Sequence, residues 1–327
     1  MSEFTYKGAG VDIEEAASLV GDIGELRGRT EAKRSLMQAF GLFAASYDLS
    51  DFNEPVLVTG CDGVGTKLEL LLEYDQLETA GKDLVAMSVN DILTTGGDPL
   101  LFLDYVGVPK IDKVQITRLI AGMVSHLEAC HCILAGGETA EMPGVVPEGI
   151  FELSGFCVGA AEKRDLIDPR RVEAGDVLVG YPSDGFHANG WSLIRRILAA
   201  HPDLCSRDEL LVLLAPTRLY HEEVWALREA NVDVRAMAHI TGGGLPENLE
   251  RLLGSHGAKI EVPKWDMGAV QQVLMHVEEE EAFKTFNMGI GWVAIVPASD
   301  VDVAISCGAG ATVIGEVGGS DIAVSVL

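Results

Sequence analysis

The residues best suited to chemistry in this sequence begin with an aspartate placed among glycines. An apolar run over residues 56–58 leads into Gly60-Cys61-Asp62-Gly63-Val64-Gly65-Thr66-Lys67. Glycines remove the side chains that would keep a phosphate or a metal ion away from Asp62 and the backbone. Two of these glycines have the spacing of a Walker A loop, but that motif places its lysine before the hydroxyl residue. The reversed order of Thr66 and Lys67 predicts either a different phosphate or metal site or an ordinary glycine turn.

Two further acidic residues have settings that suit a ligand. Glu138 follows Ile133-Leu134-Ala135-Gly136-Gly137, which predicts a strand that ends in glycines. Asp62 also follows a strand, and open α/β sheets bind ligands at the carboxyl ends of their strands. Asp91, preceded by Asn90, lies in a helical pattern apolar enough to be buried, where a carboxylate needs a partner.

These carboxylates allow two interpretations. Carboxylates that converge with waters and phosphate oxygens are the ligands that Mg²⁺ prefers at nucleotide sites, so Asp62, Asp91 and Glu138 are candidate metal ligands. The structural alternative is that Asp62 forms an Asx-turn, Asp91 accepts hydrogen bonds from nearby backbone, and Glu138 caps a following helix. The residues alone leave both interpretations open.

Asp104 and Lys67 are weaker candidates. Asp104 shares a strand face with Phe102 and Val106 by the two-residue alternation of a strand, so it is either functional or costly to bury. Lys67 can neutralise phosphate, although a lysine one turn into an amphipathic helix is usually a solvated surface residue.

Two histidines in the second half stand near glycines. His187 lies between Gly185 and Gly190 on a loop that enters a helix. Backbone N–H groups at such a point can hold an anion, and imidazole can exchange protons near neutral pH. His239 comes shortly before Gly242 and two further glycines. A loop histidine is more often a hydrogen-bonded structural residue, and only the glycine context favours a functional role here.

The elements that position these residues follow from periodicity. Short runs rich in branched or aromatic residues predict strands over residues 56–61, 100–108, 132–135 and 151–160. Apolar residues at helical spacing predict helices over residues 79–95 and 111–131. The second half repeats the order of strand, polar glycine loop and helix, with a strand over 177–181 and a helix over 191–200. The pattern predicts an α/β fold.

A charged stretch with a proline, residues 162–171, predicts the boundary between two domains. We place an N-terminal domain over residues 1–165 and a C-terminal domain over residues 166–327. A chain of 327 residues with 48% hydrophobic content is large enough for two cores.

Composition excludes several classes of function. The formal net charge of −26 repels nucleic acid and anionic lipid, so we expect no nucleic-acid or membrane partner. The chain has no basic start followed by an apolar segment and no long apolar run, which predicts a cytoplasmic protein. The six cysteines lack the spacing of a disulfide framework, and most are expected to be small buried residues.

Ten segments spread over nearly the whole chain match one known family, in that family's order. They include Asp62-Gly63-Val64-Gly65-Thr66-Lys67-Leu68 and Gly136-Gly137-Glu138-Thr139-Ala140-Glu141-Met142-Pro143-Gly144. All ten cover residues 6–13, 62–68, 83–91, 99–105, 136–144, 155–159, 185–193, 215–218, 238–245 and 286–291. The sequence resembles the phosphoribosylformylglycinamidine cyclo-ligases, also called AIR synthetases, of purine biosynthesis.

The resemblance implies an ATP-dependent ring closure. Formylglycinamidine ribonucleotide would be converted to aminoimidazole ribonucleotide with release of ADP and phosphate, using ATP and Mg²⁺. It also implies a homodimer in which the mixed sheet of the N-terminal domain pairs across the dimer. The ATP cleft would lie between this domain and a C-terminal α/β domain.

The resemblance also implies roles for individual residues. The implied metal ligands are Asp62, Asp91 and Glu138. The implied catalytic residues are His187, Asp91 and Lys67, and the identity of the general base is left open. Substrate contacts fall to His187, Asn189 and Asp104. ATP and its phosphates fall to Asp62, Gly63, Gly65, Thr66, Lys67, Asn90, His239, Gly242 and Gly243.

The chain departs from the family pattern near its N-terminus. Many members carry basic residues and a glycine-rich run between the first helix and the first core strand, and here that run is thinned to Gly41. A lysine often found near the position of Gly24 is missing. In place of this lysine, the nucleotide could contact one of the nearby basic residues Arg27, Arg29, Lys33 or Arg34.

Two alternatives to the cyclo-ligase remain. One is another ATP-dependent enzyme of the same superfamily, which includes selenophosphate synthetase, thiamine-monophosphate kinase and a hydrogenase maturation protein. Residues 6–13, 136–144 and 239–244 favour the cyclo-ligase. The other is a catalytically silent nucleotide-binding paralogue, suggested by the altered N-terminal loop. The presence of Asp62, Asp91, Glu138 and His187 argues against it.

Overall fold

The computed structural model describes residues 13–38, 43–265 and 267–327. Most of the 6–13 motif and Gly41 lie outside the described residues. The chain divides into two compact units, and the main boundary falls between Arg164 and Asp165. Two short segments, Gly65–Lys67 and Leu93–Gly96, belong to the second unit although the residues around them belong to the first. Sequence alone had placed both segments in the N-terminal domain.

The first unit is built on a four-stranded mixed sheet. Its order is β1-β4-β2-β3, and β2 and β3 are parallel while the other neighbours are antiparallel. The elements of this part of the chain are α1 (Ile13–Gly28), β1 (Pro55–Gly63), α2 (Lys67–Glu73), α3 (Leu77–Thr94), β2 (Asp98–Val108), α4 (Lys113–Ala129), β3 (Ile133–Glu141) and β4 (Glu152–Glu162).

Helix α4 shows why these residues form a helix on the sheet. Its N-cap Asp112 accepts hydrogen bonds from the backbone N–H groups of Val114 and Gln115, which satisfies donors that a helix start leaves unpaired. One face is fully buried. That face carries Ile116, Leu119, Ile120, Met123, Val124 and Leu127. Because α4 joins the parallel strands β2 and β3, it supplies the crossover that such a pair requires.

Helices α3 and α4 approach each other closely at two glycines. A Cβ atom at Gly122 of α4 would lie 2.0 Å from the carbonyl oxygen of Glu78, and one at Gly81 of α3 would lie 2.1 Å from that of Leu119. Real Cβ atoms do not approach backbone this closely. Glycine at both positions therefore sets the distance between the two helices.

The second unit is built on a six-stranded mixed sheet of order β10-β7-β9-β5-β8-β6. Strand β8 is buried along its whole length, as expected for a strand inside the sheet that is covered on both faces. The elements are β5 (Val177–Pro182), α5 (Trp191–Ala200), α6 (Arg207–Leu213), α7 (His221–Glu229), β6 (Ala236–His239), α8 (Gly244–Leu253), β7 (Ala258–Val262), α9 (Gly268–Leu274), α10 (Glu279–Thr285), β8 (Ile290–Val296), α11 (Val301–Ser306), β9 (Thr312–Val317) and β10 (Ile322–Val326).

One sequence expectation about strand ends is wrong. Strand β3 continues to Glu141, so Gly136, Gly137 and Glu138 lie inside the strand and not at its carboxyl end. Glu138 therefore caps no helix. The glycines keep strand geometry because they pair in register with Leu103 and Asp104 of β2.

All six cysteines are free thiols, and Cys130, Cys132 and Cys157 are buried. Burial is the largest cause that raises the pKa of the Cys132 thiol well above its usual value. Among the described residues, no helix combines the length and the apolar character that a membrane crossing requires.

We expect Gly122→Ala to lower the free energy of unfolding by about 1–3 kcal/mol, because the added methyl group must push α4 away from α3. Gly21→Ala in α1 is the matched control. No atom lies within 4 Å of its Cβ position, so the change should be neutral or stabilise by up to about 1 kcal/mol. Urea unfolding followed by circular dichroism measures both. Equal stability of the two variants would contradict the close helix crossing.

Candidate functional site

Carboxylates and glycines alternate in one row across the sheet of the first unit. Asp62 of β1 pairs in register with Gly155 of β4, Gly155 pairs with Asp104 of β2, and Asp104 pairs with Gly137 of β3. Residues directly opposite each other in a sheet point to the same face. A Cβ atom at Gly155 would meet Leu84 and Ser88 of α3, so this row faces α3.

Glycine at position 137 makes room for the Asp104 side chain. A Cβ atom there would lie 2.3 Å from Oδ1 of Asp104, which is only 8% exposed. Burial, with a smaller contribution from the negative charge of Glu138, raises the pKa of Asp104 to about 7. The Asp104 carboxyl group is thus half protonated near neutral pH, which a surface aspartate is not.

Asp62 and Asp91 both lie on the α3 side of β1. Oδ1 of Asp62 accepts a hydrogen bond of 2.7 Å from the backbone N–H of Gly63. Gly60 shares the strand face of Asp62, and its Cβ position lies 3.7 Å from Cβ of Asp91. Asn90 is fully buried in the same turn of α3. The structure therefore brings Asp62, Asp91 and Asp104 to one face of the sheet.

Glu138 is placed differently. It is exposed and pairs in register with Tyr105, so strand alternation sets its Cβ on the opposite face from Asp104. Within the described part of the chain, no group of three or more His, Cys, Asp or Glu side chains is arranged to hold a metal ion. Protein ligands alone do not form a closed metal cage there.

The loop that carries His187 joins β5 to α5 and is held from both ends. The side chain of Asn287 donates to the carbonyl oxygen of Gly185 at 2.8 Å and contacts the Ser183 hydroxyl at 3.1 Å. A Cβ atom at Gly190, which has a φ of +77°, would lie 2.4 Å from the Phe286 ring. Only glycine fits that turn.

His187 is fully buried and adopts a left-handed backbone conformation with φ of +56°. Its Nε2 accepts a hydrogen bond from the backbone N–H of Arg218 at 3.4 Å, and its carbonyl oxygen accepts one from Trp191 at 2.7 Å. Burial, together with the charges of His239, Lys67 and Arg218, lowers the pKa of His187 well below its usual value. His187 is therefore neutral at physiological pH.

Lys67 is buried, although a lysine one turn into an amphipathic helix is usually exposed. It is completely buried, its Nζ donates to the carbonyl oxygen of Ala215 at 2.7 Å, and it lies 5.5 Å from the centre of the Trp191 ring. The neighbouring Thr66 hydroxyl contacts the Ser192 hydroxyl at 3.0 Å. Segment Gly65–Lys67 is thus integrated with α5 and residue 215 of the second unit.

His239 ends β6 and is buried, and the glycines after it lead into α8. Gly243 is the N-cap of α8 with a φ of +89°, and as a glycine it has no side chain with which to cap the helix start. Asn248 orders the turn by donating to the carbonyl oxygens of Gly242 and Gly244. The His239 ring lies 6.4 Å from that of Trp292.

Sequence reasoning gave no role to Arg218, Tyr220 or Gly291, which surround His187. A Cβ atom at Gly291 would lie 2.4 Å from Cε1 of His187 and 2.1 Å from the Tyr220 hydroxyl. Arg218 pairs with Glu223 and lies 5.5 Å from the centre of the Tyr220 ring. Arg218 and Gly291 lie in the matched segments 215–218 and 286–291, and these matches are the sequence signal for them.

The four alternative cations near the N-terminus all have protein partners. Their nucleotide role stays a prediction. Arg27 pairs with Glu31, Arg29 with Glu128, Lys33 with His131, and Arg34 with the Pro99 carbonyl oxygen and Asp98.

Comparisons with known proteins place the chain in a family. The model of the AIR synthase related protein N-terminal domain matches residues 44–161, and that of the C-terminal domain matches residues 173–326. A phosphoribosylformylglycinamidine cyclo-ligase of Desulfitobacterium hafniense (strain DSM 10664 / DCB-2) is 44% identical, over 99% of each chain. The chain belongs to the phosphoribosylformylglycinamidine cyclo-ligase family. The resemblance inferred from the motifs is confirmed.

Other cyclo-ligases are similarly close. Proteins of this name from Thermoanaerobacter sp. (strain X514) and from Neisseria meningitidis serogroup C (strain 053442) are 39% and 43% identical. The matches cover 95% and 92% of this chain, and 97% and 90% of those proteins. This cyclo-ligase family member is therefore similar to its relatives over nearly the full length of each protein.

Solved structures of lower identity share the cyclo-ligase fold. Thiamine-monophosphate kinase from Stenotrophomonas maltophilia K279a has a TM-score of 0.68 at 17% identity, covering 92% of this chain and 94% of its own. The hydrogenase maturation protein HypE in complex with ATP has a TM-score of 0.68 at 16% identity, covering 95% and 91%. The predicted α/β fold with two domains is confirmed.

The buried carboxyl group predicts a pH-dependent stability. Because the folded-state pKa of Asp104 is raised to about 7 from 3.8, the protein loses stability as pH rises through that window. Asp104→Asn removes the charge. We expect its free energy of unfolding, relative to the native sequence, to increase by about 2 kcal/mol between pH 5.5 and pH 8.

Urea unfolding at both pH values measures this difference. Asp302→Asn is the control for the loss of an exposed carboxylate. A pH-independent effect of Asp104→Asn would show that Asp104 is ionised throughout this range.

Proposed function

We propose that this protein catalyses the ATP-dependent ring closure of formylglycinamidine ribonucleotide to aminoimidazole ribonucleotide in purine biosynthesis, with release of ADP and phosphate. Identity of 44% along 99% of the chain to a protein named for this activity carries the proposal. In this chemistry ATP phosphorylates the formamide oxygen, the amidine nitrogen attacks the activated carbon, and phosphate leaves. We place the reaction in the cytoplasm.

The carboxylates of the first unit suit the nucleotide and its metal. Mg²⁺ is commonly held by one or two carboxylates together with substrate phosphates and water, so the pair Asp62 and Asp91 fits this ion without a third protein ligand. Bound Mg²⁺ would offset the negative charge of the phosphate oxygens. Glu138 remains a proposed third ligand, since its charge acts on Asp104 across the strand.

The glycines beside Asp62 suit phosphate. Gly63 and Gly65 leave the backbone open to an approaching anion, and Gly65 has a φ of +62° that glycine adopts without strain. We assign these glycines, Thr66 and the buried Asn90 to ATP, and Asp104 to the substrate.

The loops around His187 suit the substrate. Nδ1 of His187 and Nδ2 of Asn189 are buried, and neither makes a hydrogen bond within the described part of the chain. Buried donors left unpaired by protein point to a ligand that pairs them. We assign His187 and Asn189 to the substrate, and His239 with Gly242 and Gly243 to a phosphate group near the start of α8.

An activity assay tests the proposal. The purified protein, incubated with formylglycinamidine ribonucleotide, ATP and Mg²⁺, should form ADP and the aminoimidazole product in equal amounts. Asp91→Asn should lower kcat by about 100-fold or more, because it removes a charge that stabilises phosphoryl transfer. The exposed Asp302→Asn should retain full activity. Tight ATP binding without product would instead indicate a silent paralogue.

The outer face of the first sheet supports a homodimer. Leu57, Leu103 and Phe156 are 59%, 36% and 45% exposed, although leucine and phenylalanine at mid-strand are usually covered. Phe156 pairs in register with Leu103 on one side and Cys61 on the other, so these three residues form one patch, and Leu57 lies on the same face of β1 as Cys61. Contiguous apolar patches of this kind mark protein interfaces, and we propose that a second copy of the chain covers it.

Phe156→Glu should convert the dimer to a monomer, because two carboxylates would be buried in an isologous interface. Val212→Glu is the control, since Val212 is similarly exposed on α6 of the second unit. Sedimentation equilibrium measures the mass of each variant. A dimer that persists in Phe156→Glu with unchanged affinity would exclude this face.

A further inference from the structure

Two separate supports hold His187, and Lys67 contacts both. The first is the segment 215–218, where the Arg218 amide donates to Nε2 of His187 and the Ala215 carbonyl oxygen accepts from Nζ of Lys67 at 2.7 Å. The second is Trp191, whose Nε1 donates to the His187 carbonyl oxygen and whose ring lies 5.5 Å from Nζ of Lys67. One buried ammonium group therefore contacts both the segment that bonds the imidazole and the tryptophan that bonds the backbone of His187.

The hydrogen bond from Arg218 defines the tautomer of His187. A backbone amide can only donate, so Nε2 must present a lone pair. In a neutral imidazole the proton then resides on Nδ1. Nδ1 is buried and makes no hydrogen bond within the described residues, so its N–H is available to a ligand.

The charged groups around the ring favour the neutral form. Lys67, Arg218 and His239 all lower the pKa of His187, and burial lowers it further. Tyr220, with its ring 6.3 Å away, has a pKa raised mainly by burial and stays neutral. Each group that contributes a charge to the pKa of this ring is basic, so a protonated ring would stand beside the charges of Lys67 and of Arg218, which is paired with Glu223.

We propose that Lys67 is a positioning residue that holds His187 as the neutral Nδ1–H tautomer, and that His187 acts on the substrate as a hydrogen-bond donor. This rests on the proposed function for the identity of the acceptor, an oxygen of the substrate or of the transferred phosphoryl group. A neutral imidazole donor stabilises developing negative charge without giving up its proton. The general base of the ring closure is then a different group.

The same geometry revises the expected role of Lys67. A lysine that binds phosphate directs its ammonium group toward the ligand, whereas this Nζ donates to the Ala215 carbonyl oxygen and the side chain is 0% exposed. We therefore assign Lys67 to the support of His187 and not to the phosphates of ATP.

Nuclear magnetic resonance of protein labelled with ¹⁵N-histidine tests the tautomer without any substrate. The native protein should show a protonated Nδ1 and an unprotonated Nε2 for His187 from acidic to alkaline pH. Lys67→Met keeps the apolar stem and removes the charge, so the ring should become protonated at a higher pH. Lys259→Met, at an exposed lysine of the same unit, should leave the His187 signals unchanged. A protonated Nε2 in the native protein overturns the proposal.

Steady-state kinetics distinguish a hydrogen-bond donor role of His187 from a general-base role. In Asn the side-chain amide nitrogen occupies the place of Nδ1, and Asn also tolerates the left-handed backbone at this position. His187→Asn should retain kcat within about tenfold, whereas His187→Leu should lose about 100-fold or more. Equal loss in both variants would identify His187 as a base.

ATP affinity separates the two roles of Lys67. Lys67→Met should bind ATP with native affinity while its kcat falls and its pH profile shifts toward alkaline pH. Weakened ATP binding with unchanged His187 signals would identify a phosphate ligand and overturn the proposal. If Lys67→Met fails to fold, Lys67→Gln, which also removes the charge, replaces it in both measurements, and the spectrum of the native protein still tests the tautomer. If the native protein forms no aminoimidazole product, the proposed function fails, and the spectra still test the role of Lys67.

Discussion

Ionisable groups withdrawn from water must be given room and partners, and this requirement shapes both candidate sites. In the first unit, glycines provide the room for a buried carboxyl group. Gly137 and Gly155 flank Asp104 on the neighbouring strands, where any other residue would place a side chain on the carboxylate face. Glycine in a strand is destabilising by about 0.5–1 kcal/mol relative to alanine, but it leaves this face of the sheet open. Gly155 also lets Ser88 and its helix approach, and the same helix carries Asp91.

The second unit meets the requirement with backbone carbonyl groups and aromatic rings. A chain of net charge −26 buries Lys67 and keeps Arg218 half-buried, and each contacts a carbonyl oxygen and an aromatic ring. Their effect is local, because a neighbouring imidazole experiences the nearest charges more strongly than a distant acidic surface screened by salt. Strong overall acidity and a cationic loop cluster are therefore compatible in one molecule.

Sequence patterns predicted the helices and strands that this chemistry depends on, because their apolar periodicity is local. They predicted less well the face of the first sheet that contacts α3. Gly136 and Gly137 were interpreted as a strand end, since glycine breaks isolated strands, but pairing with β2 overrides that preference. For Lys67 the residues alone allow a phosphate contact or a solvated surface position and do not predict burial, because its burial depends on Trp191 and Ala215, more than 120 residues away. The order of the motifs is enough to indicate the family, whereas which nitrogen of His187 accepts a hydrogen bond depends on the position of Arg218 in the folded chain.

Segment Gly65–Lys67 has a consequence for dissecting the molecule. Its three residues are part of the second unit, yet they follow β1 directly and lie about a hundred residues before the main boundary in sequence. A polypeptide that begins at Asp165 would carry the whole second sheet and still lack the ammonium group under the His187 loop. The complete second unit is therefore discontinuous in the gene, and recombination that exchanges it between relatives at a single crossover point would separate Lys67 from the partners it supports.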